Sequence, residues 1–253
     1  MLIPVIAGIV FYGILSGFRV KRGASLFFGG LALVLLTEAS PLHVLGMHAF
    51  LSAHMVAHIV VLLIAAPLMV AGMPQAGYPE KAGKQIKRFS AFLFRYPWVS
   101  WLSGMSIMWL WHIPAVFRIQ AFHHGFISFL QPLSLLVAGS LFAWPLAGPA
   151  PQYRIHALSG ILYLFTACIG CSALGLLLTF APPRLFHPES LVSITLHPDM
   201  QSGRWTITQA DDQQIAGLIM WVPCCILYLT GCLYLLGRWF REEALTSSLK
   251  QPV

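Results

Sequence analysis

Residues 49–72 read AFLSAHMVAHIVVLLIAAPLMVAG, 24 positions without a formally charged side chain. The hydrocarbon core of a bilayer is about 30 Å thick and takes roughly 20 mainly apolar helical residues to cross. A run of this length predicts a membrane-crossing helix, because lipid offers no partner to the open edge of a strand. Inside the run, His54 and His58 stand at i and i+4, on one helical face and one turn apart.

The rest of the chain agrees with this stretch. Its 253 residues are 58% apolar and 9% charged, where soluble domains carry about 25% charge. The mean hydropathy is +0.76. So few charges cannot cover a water-exposed surface. The composition excludes a soluble enzyme, a disordered chain and, despite a net charge of +7, a nucleic-acid binder. The expected class is an all-α, polytopic membrane bundle forming one domain over residues 1–253, with the lipid bilayer as solvent.

Seven apolar segments are expected to span, at residues 1–18, 24–42, 49–72, 98–117, 126–146, 155–180 and 213–239. Pro67, Pro114 and Pro223 fall within them and read as kinks. The first run has no basic residue before it and Arg19, Lys21 and Arg22 after it, the pattern of a retained helix rather than a cleaved signal. With these spans, Arg118, Arg184 and Arg204 fall on one side and the other twelve of the 15 Lys and Arg on the opposite one. Basic loops stay in the cytoplasm. The expected topology therefore has the N-terminus outside and the C-terminus inside, with the basic segment 81–95 lying on anionic lipid.

That topology sorts the histidines. Of ten, only His156 falls on the cytoplasmic side; His43, His48, His54, His58, His112, His123, His124, His187 and His197 face the outer half. At 1.5 Å per residue, His54 lies roughly 9 Å and His58 about 15 Å below the start of the third span, and His112 about 7–8 Å below the same surface. Imidazoles at i and i+4 can reach one metal ion. The geometry is that of the zinc protease motif, but Met55 stands where that motif needs its glutamate, which argues against a hydrolase.

The candidate metal ligands are His54, His58 and His112, with His48 as a capture ligand above them. Imidazole suits several metals, whereas thioether and thiolate favour Cu(I). Met47, Met55, Met105, Met108, Met220 and Cys171 approach the same half, and the mixture leans towards copper. Methionine and cysteine in apolar helices usually only pack. Cys168 and Cys171 form C-x-x-C inside a span, away from the helix-capping position of a redox motif, with Cys224, Cys225 and Cys232 on the last span. Glu38, His124, Cys171, Asp211 and Asp212 are possible accessory groups; the two aspartates also suit the positive end of their own helix.

Several short motifs recur in a fixed order: Ser40-Pro41-Leu42, the stretch from Ser52 to His58, Trp111-His112-Ile113-Pro114-Ala115, Phe142-Ala143-Trp144-Pro145-Leu146, and DQQIAGLIMWVP from Asp212 to Pro223. In order and spacing the chain resembles the CtaG family of cytochrome c oxidase assembly proteins, of the seven-helix type. The resemblance covers nearly the whole chain. It implies a bacterial cytoplasmic (inner) membrane protein that helps to mature a haem–copper oxidase by supplying or positioning copper, with oxidase subunits as partners. The residues it carries over are His54, His58, His112, Asp212 and Met220. This chain departs from the family pattern at Gln131-Pro132, where Glu-His is frequent, and at Cys224-Cys225, where glycines are expected.

Two other readings remain open at the level of sequence. Histidines on facing helices, His54 or His58 with His112, can ligate a haem in a membrane redox protein. Alternatively, the histidines are hydrogen-bonding groups between the helices of a metal-free scaffold that grips an oxidase subunit.

Overall fold

The computed structural model describes residues 2–17, 23–48, 50–122, 126–182, 185–186 and 208–249, and all regular structure among them is helical. In chain order the helices are α1 (Leu2–Ser16), α2 (Ala24–Ala39), α3 (Pro41–His48), α4 (Leu51–Ile59), α5 (Ala66–Ala71), α6 (Glu80–Arg95), α7 (Pro97–Trp111), α8 (Pro114–Phe122), α9 (Phe126–Ala147), α10 (Ala157–Phe180) and α11 (Gln209–Leu249). A π-helical segment, Val60–Ala65, joins α4 to α5 without interruption. Among the described residues, four helices are long and apolar enough to cross a membrane: Leu51–Ala71, Phe129–Ala147, Ala157–Phe180 and Gln209–Ala244. The apolar helices α1, α2 and α7 are shorter, at 15, 16 and 15 residues.

Two expected spans are broken by proline. The segment expected at 24–42 ends as helix at Ala39; Ser40 is extended, and Pro41 opens α3, so His43 and His48 lie on a helix rather than in a loop. The segment expected at 98–117 stops at Trp111, and Pro114 opens α8 instead of kinking a continuous helix. The cause is shared: proline disfavours helical backbone in the residue before it, and its missing N–H costs nothing in a first turn. Pro67 acts differently. Its ring would crowd the carbonyl four residues back. The chain widens upstream into the π segment, where the Ala66 N–H reaches Val61 O, five residues away. Pro223 is absorbed within α11.

Helices α10 and α11 make the most extensive contact, and α11 also packs on α4 while α7 packs on α9. The α10/α11 crossing depends on small residues. A Cβ at Gly217 would stand 2.7 Å from the Thr179 backbone nitrogen, and one at Gly175 would stand 3.0 Å from Gly217 O. Such close backbone approach is typical of helices associating in lipid. Polar burial is inverted relative to a water-soluble domain. His54, His58, His112, Gln131, Asp212 and Gln213 are buried, whereas Leu158, Leu162, Phe165, Ile169 and Leu177 form an exposed apolar stripe along α10. An apolar outer surface of this extent fits contact with lipid.

Candidate metal site

The site begins at the N-terminus of α4, where the first-turn N–H groups have no intrahelical partner. Phe50 precedes the helix and offers no side-chain cap. The cap comes from α11: Asp212 Oδ2 accepts the Leu51 N–H at 2.6 Å, and Oδ1 accepts the Ser52 N–H at 3.2 Å together with the Ser52 hydroxyl. A carboxylate here also meets the positive end of the helix dipole. The next residue, Gln213, works at the opposite kind of helix end. Its Nε2 donates to Leu178 O (3.0 Å) and Ala181 O (2.6 Å), satisfying terminal carbonyls of α10. Two adjacent polar residues thus fix α4 and α10 to α11.

The anchored α4 presents His54 and His58, both buried, with ring centroids 4.3 Å apart and edge-on. His112, just past the last residue of α7, adds a third buried ring 5.7 Å from His58. The three imidazoles expected from sequence therefore adjoin, with His58 in the middle. His54 packs on Phe117 of α8.

Hydrogen bonding fixes what these rings can do. His112 Nδ1 lies 2.6 Å from Met108 O. A carbonyl only accepts, so Nδ1 carries the proton and, in the neutral ring, Nε2 holds a lone pair. That Nε2 faces the Met55 sulfur at 3.2 Å. A thioether also only accepts, so an imidazole lone pair and a thioether sulfur adjoin with no proton between them, a donor pair that a soft cation could bridge if the side chains part slightly. Gln131 on α9 brings its Nε2 to 3.4 Å from His54 Nε2 and also hydrogen-bonds His58. His58 Nδ1 is buried without a hydrogen-bond partner. An orphaned buried nitrogen costs about 1–3 kcal/mol. α7 and α9 are held in register here, because Trp111 Nε1 donates to Ser134 Oγ at 2.8 Å and Ser134 donates to Gln131 O at 2.8 Å.

Among the described residues, no three His, Cys, Asp or Glu side chains converge as a ready-made metal cage. The available donors are mixed: the His112 and Met55 lone pairs, and the unpartnered Nδ1 of the neighbouring His58 ring. This set suits a low-coordinate soft ion such as Cu(I) better than a metal that demands four hard ligands.

A recess leads to the pair on α4. Glu38, His43, Gly46, His54, His58 and Gln131 line it, with Glu38 Oε2 3.4 Å from His43 Nδ1. Gly46 lets α3 lie against α4, since a Cβ there would stand 2.9 Å from the His54 nitrogen. Glu38, a possible accessory group, lines this recess, and His43 joins it.

The other candidates are dispersed. The side chain of His48, and His124 altogether, lie outside the described residues. Met220 is buried in the apolar core on α11, and among the described residues no hydrogen bond joins it to the imidazoles. Asp211 is exposed and occupied with Thr208, accepting from its N–H at 3.0 Å and its hydroxyl at 2.7 Å. Cys171 is buried deeper, 3.7 Å from the Met108 sulfur. Sequence reasoning singled out neither Gln131 nor His43 as site groups. The available signal for Gln131 was an uncharged amide within an apolar span.

The fold and site define a helical membrane protein with a buried imidazole–thioether cluster. Residues 16–242 match the cytochrome c oxidase caa3 assembly factor family (Caa3_CtaG), and the chain belongs to that family. No curated protein and no solved structure matches it.

Proposed function

We propose that the protein binds copper within the membrane and delivers it to a subunit of a haem–copper oxidase during assembly. Family membership supports the assembly role. The observation that carries the copper reading is the lone-pair contact between His112 Nε2 and Met55 Sδ, with the His58 ring 5.7 Å from that of His112 and its Nδ1 orphaned. Copper is cargo here, not a resident cofactor, and no reaction is catalysed. The Glu38–His43 pair attracts the cation at the recess, and His54, His58, His112 and Met55 hold it together.

In this reading the chain crosses a bacterial cytoplasmic membrane seven times, through α1, α2, α4–α5, α7–α8, α9, α10 and α11. The N-terminus is outside, the C-terminus inside, and the recess opens outward. The separation of basic residues supports that orientation. The test is the copper content of oxidase isolated from cells carrying His54→Ala/His58→Ala. A copper-deficient oxidase beside normal amounts of the variant supports delivery. Normal copper content sinks it and favours a metal-free scaffold.

A further inference from the structure

Beyond the imidazole cluster, four thiols meet between α10 and α11 in two adjacent rungs. In one, Cys168 Sγ lies 3.3 Å from Cys225 Sγ, which Ser172 Oγ also approaches at 3.2 Å. In the other, Cys171 and Cys224 adjoin, and both are fully buried. The C-x-x-C motif is therefore not paired within itself: each of its cysteines faces a partner on α11. All four thiols are free. Cys171 Sγ further lies 3.7 Å from Met108 Sδ and 3.8 Å from the Tyr228 hydroxyl. A small cavity borders Met105, Met108 and Tyr228 beside this rung.

We propose that Cys171, Cys224 and the Met108 thioether form a second, sulfur-only Cu(I) site one helical turn from the imidazole cluster. The metal's identity rests on the copper reading above; the site rests on its own geometry. Packing accounts for one buried cysteine. It does not account for two thiols and a thioether turned towards one another from three helices, the donor set that selects Cu(I). Met108 also connects the sites, since its carbonyl holds His112 and its sulfur faces Cys171.

Charge balance suits the location. On binding, a Cu–S bond forms at one cysteine, its S–H proton leaves to the aqueous phase, and copper stays Cu(I), so no electron is transferred. One thiolate and one Cu(I) are neutral together, with the second thiol and the thioether as uncharged donors. The imidazole–thioether site has only neutral donors and keeps a charge of +1. Movement towards the thiols therefore exchanges a charged complex for a neutral one, which low-dielectric surroundings favour.

The experiment loads purified full-length protein with Cu(I) alone, without oxygen, and measures bound copper and its X-ray absorption spectrum. Wild type is expected to bind two equivalents. Cys171→Ser/Cys224→Ser should keep one, with nitrogen neighbours. His54→Ala/His58→Ala should keep one with sulfur neighbours only. Wild-type stoichiometry in the serine variant overturns the second site and leaves the first standing. Wild-type stoichiometry in the histidine variant overturns the first and leaves the second. Should the serine variant fail to fold, the histidine variant decides alone: no retained copper, or copper without a sulfur shell, overturns the proposal.

Discussion

Asp212 and Leu51 are 161 positions apart in sequence, yet the Asp212 carboxylate accepts the Leu51 N–H at 2.6 Å and so caps the helix that carries His54 and His58. The anchor of the candidate site is thus a side chain on another helix, and the site's geometry depends on how α11 meets α4. The same contact explains why the run from Asp212 to Gly217 is dense in specific residues. Asp212 caps α4, Gln213 caps α10, and Gly217 lets α10 approach.

Asp212→Ala is therefore expected to destabilise the protein by about 1–2 kcal/mol, the usual range for a lost helix cap. It should weaken copper retention although Asp212 touches no imidazole. Asp212→Asn keeps an acceptor and should recover most of the stability. Thermal unfolding in detergent, read beside copper content, checks both; a stable Ala variant with low copper would instead make Asp212 a ligand.

Met55→Leu conserves volume and should cost less than about 1.5 kcal/mol in stability. It removes the sulfur facing His112. Cu(I) affinity should fall at least tenfold, about 1.4 kcal/mol, while Zn(II) affinity changes little. Competition titrations with a chelator for each metal give the two numbers.

Gln131 donates towards His54 and also bonds His58. Gln131→Leu should loosen both rings and weaken Cu(I) binding by about 10–100-fold, as removal of an outer-shell partner does. Gln131→Glu introduces a carboxylate beside the cation and should tighten it. Parallel affinities for the two variants, falling together, would argue that Gln131 only fills space.

Gly217→Ala should separate α10 from α11, because its Cβ meets the Thr179 backbone at 2.7 Å. A cost of about 1–3 kcal/mol is expected for such overpacking. A change in sulfur coordination at Cys171 should accompany it. Unfolding measurements and the copper absorption edge of the same variant test the pair of effects.

The sequence makes some of this legible and not the rest, for identifiable reasons. The membrane class follows from composition, and the His54/His58 pair follows from helical periodicity alone. His112 was nameable, but its partner was not: 57 positions separate it from Met55, and spacing does not say which helices adjoin. Asp212 reads naturally as an acid serving its own helix, whereas its hydrogen bonds serve α4. Breaks at Ser40 and Ile113 follow from Pro41 and Pro114, whose effect on the preceding residue competes with a long apolar pattern and wins locally. The π segment before Pro67 has no periodicity signal of its own.

The central claim is that the buried cluster of His54, His58, His112 and Met55 holds copper. Its most direct test is an anaerobic Cu(I) titration of purified protein against a competing chelator, comparing wild type with His54→Ala/His58→Ala. The account predicts that the variant, folded as judged by its helical spectrum, loses one tightly held equivalent. An unchanged copper-to-protein ratio and affinity in that variant would contradict it.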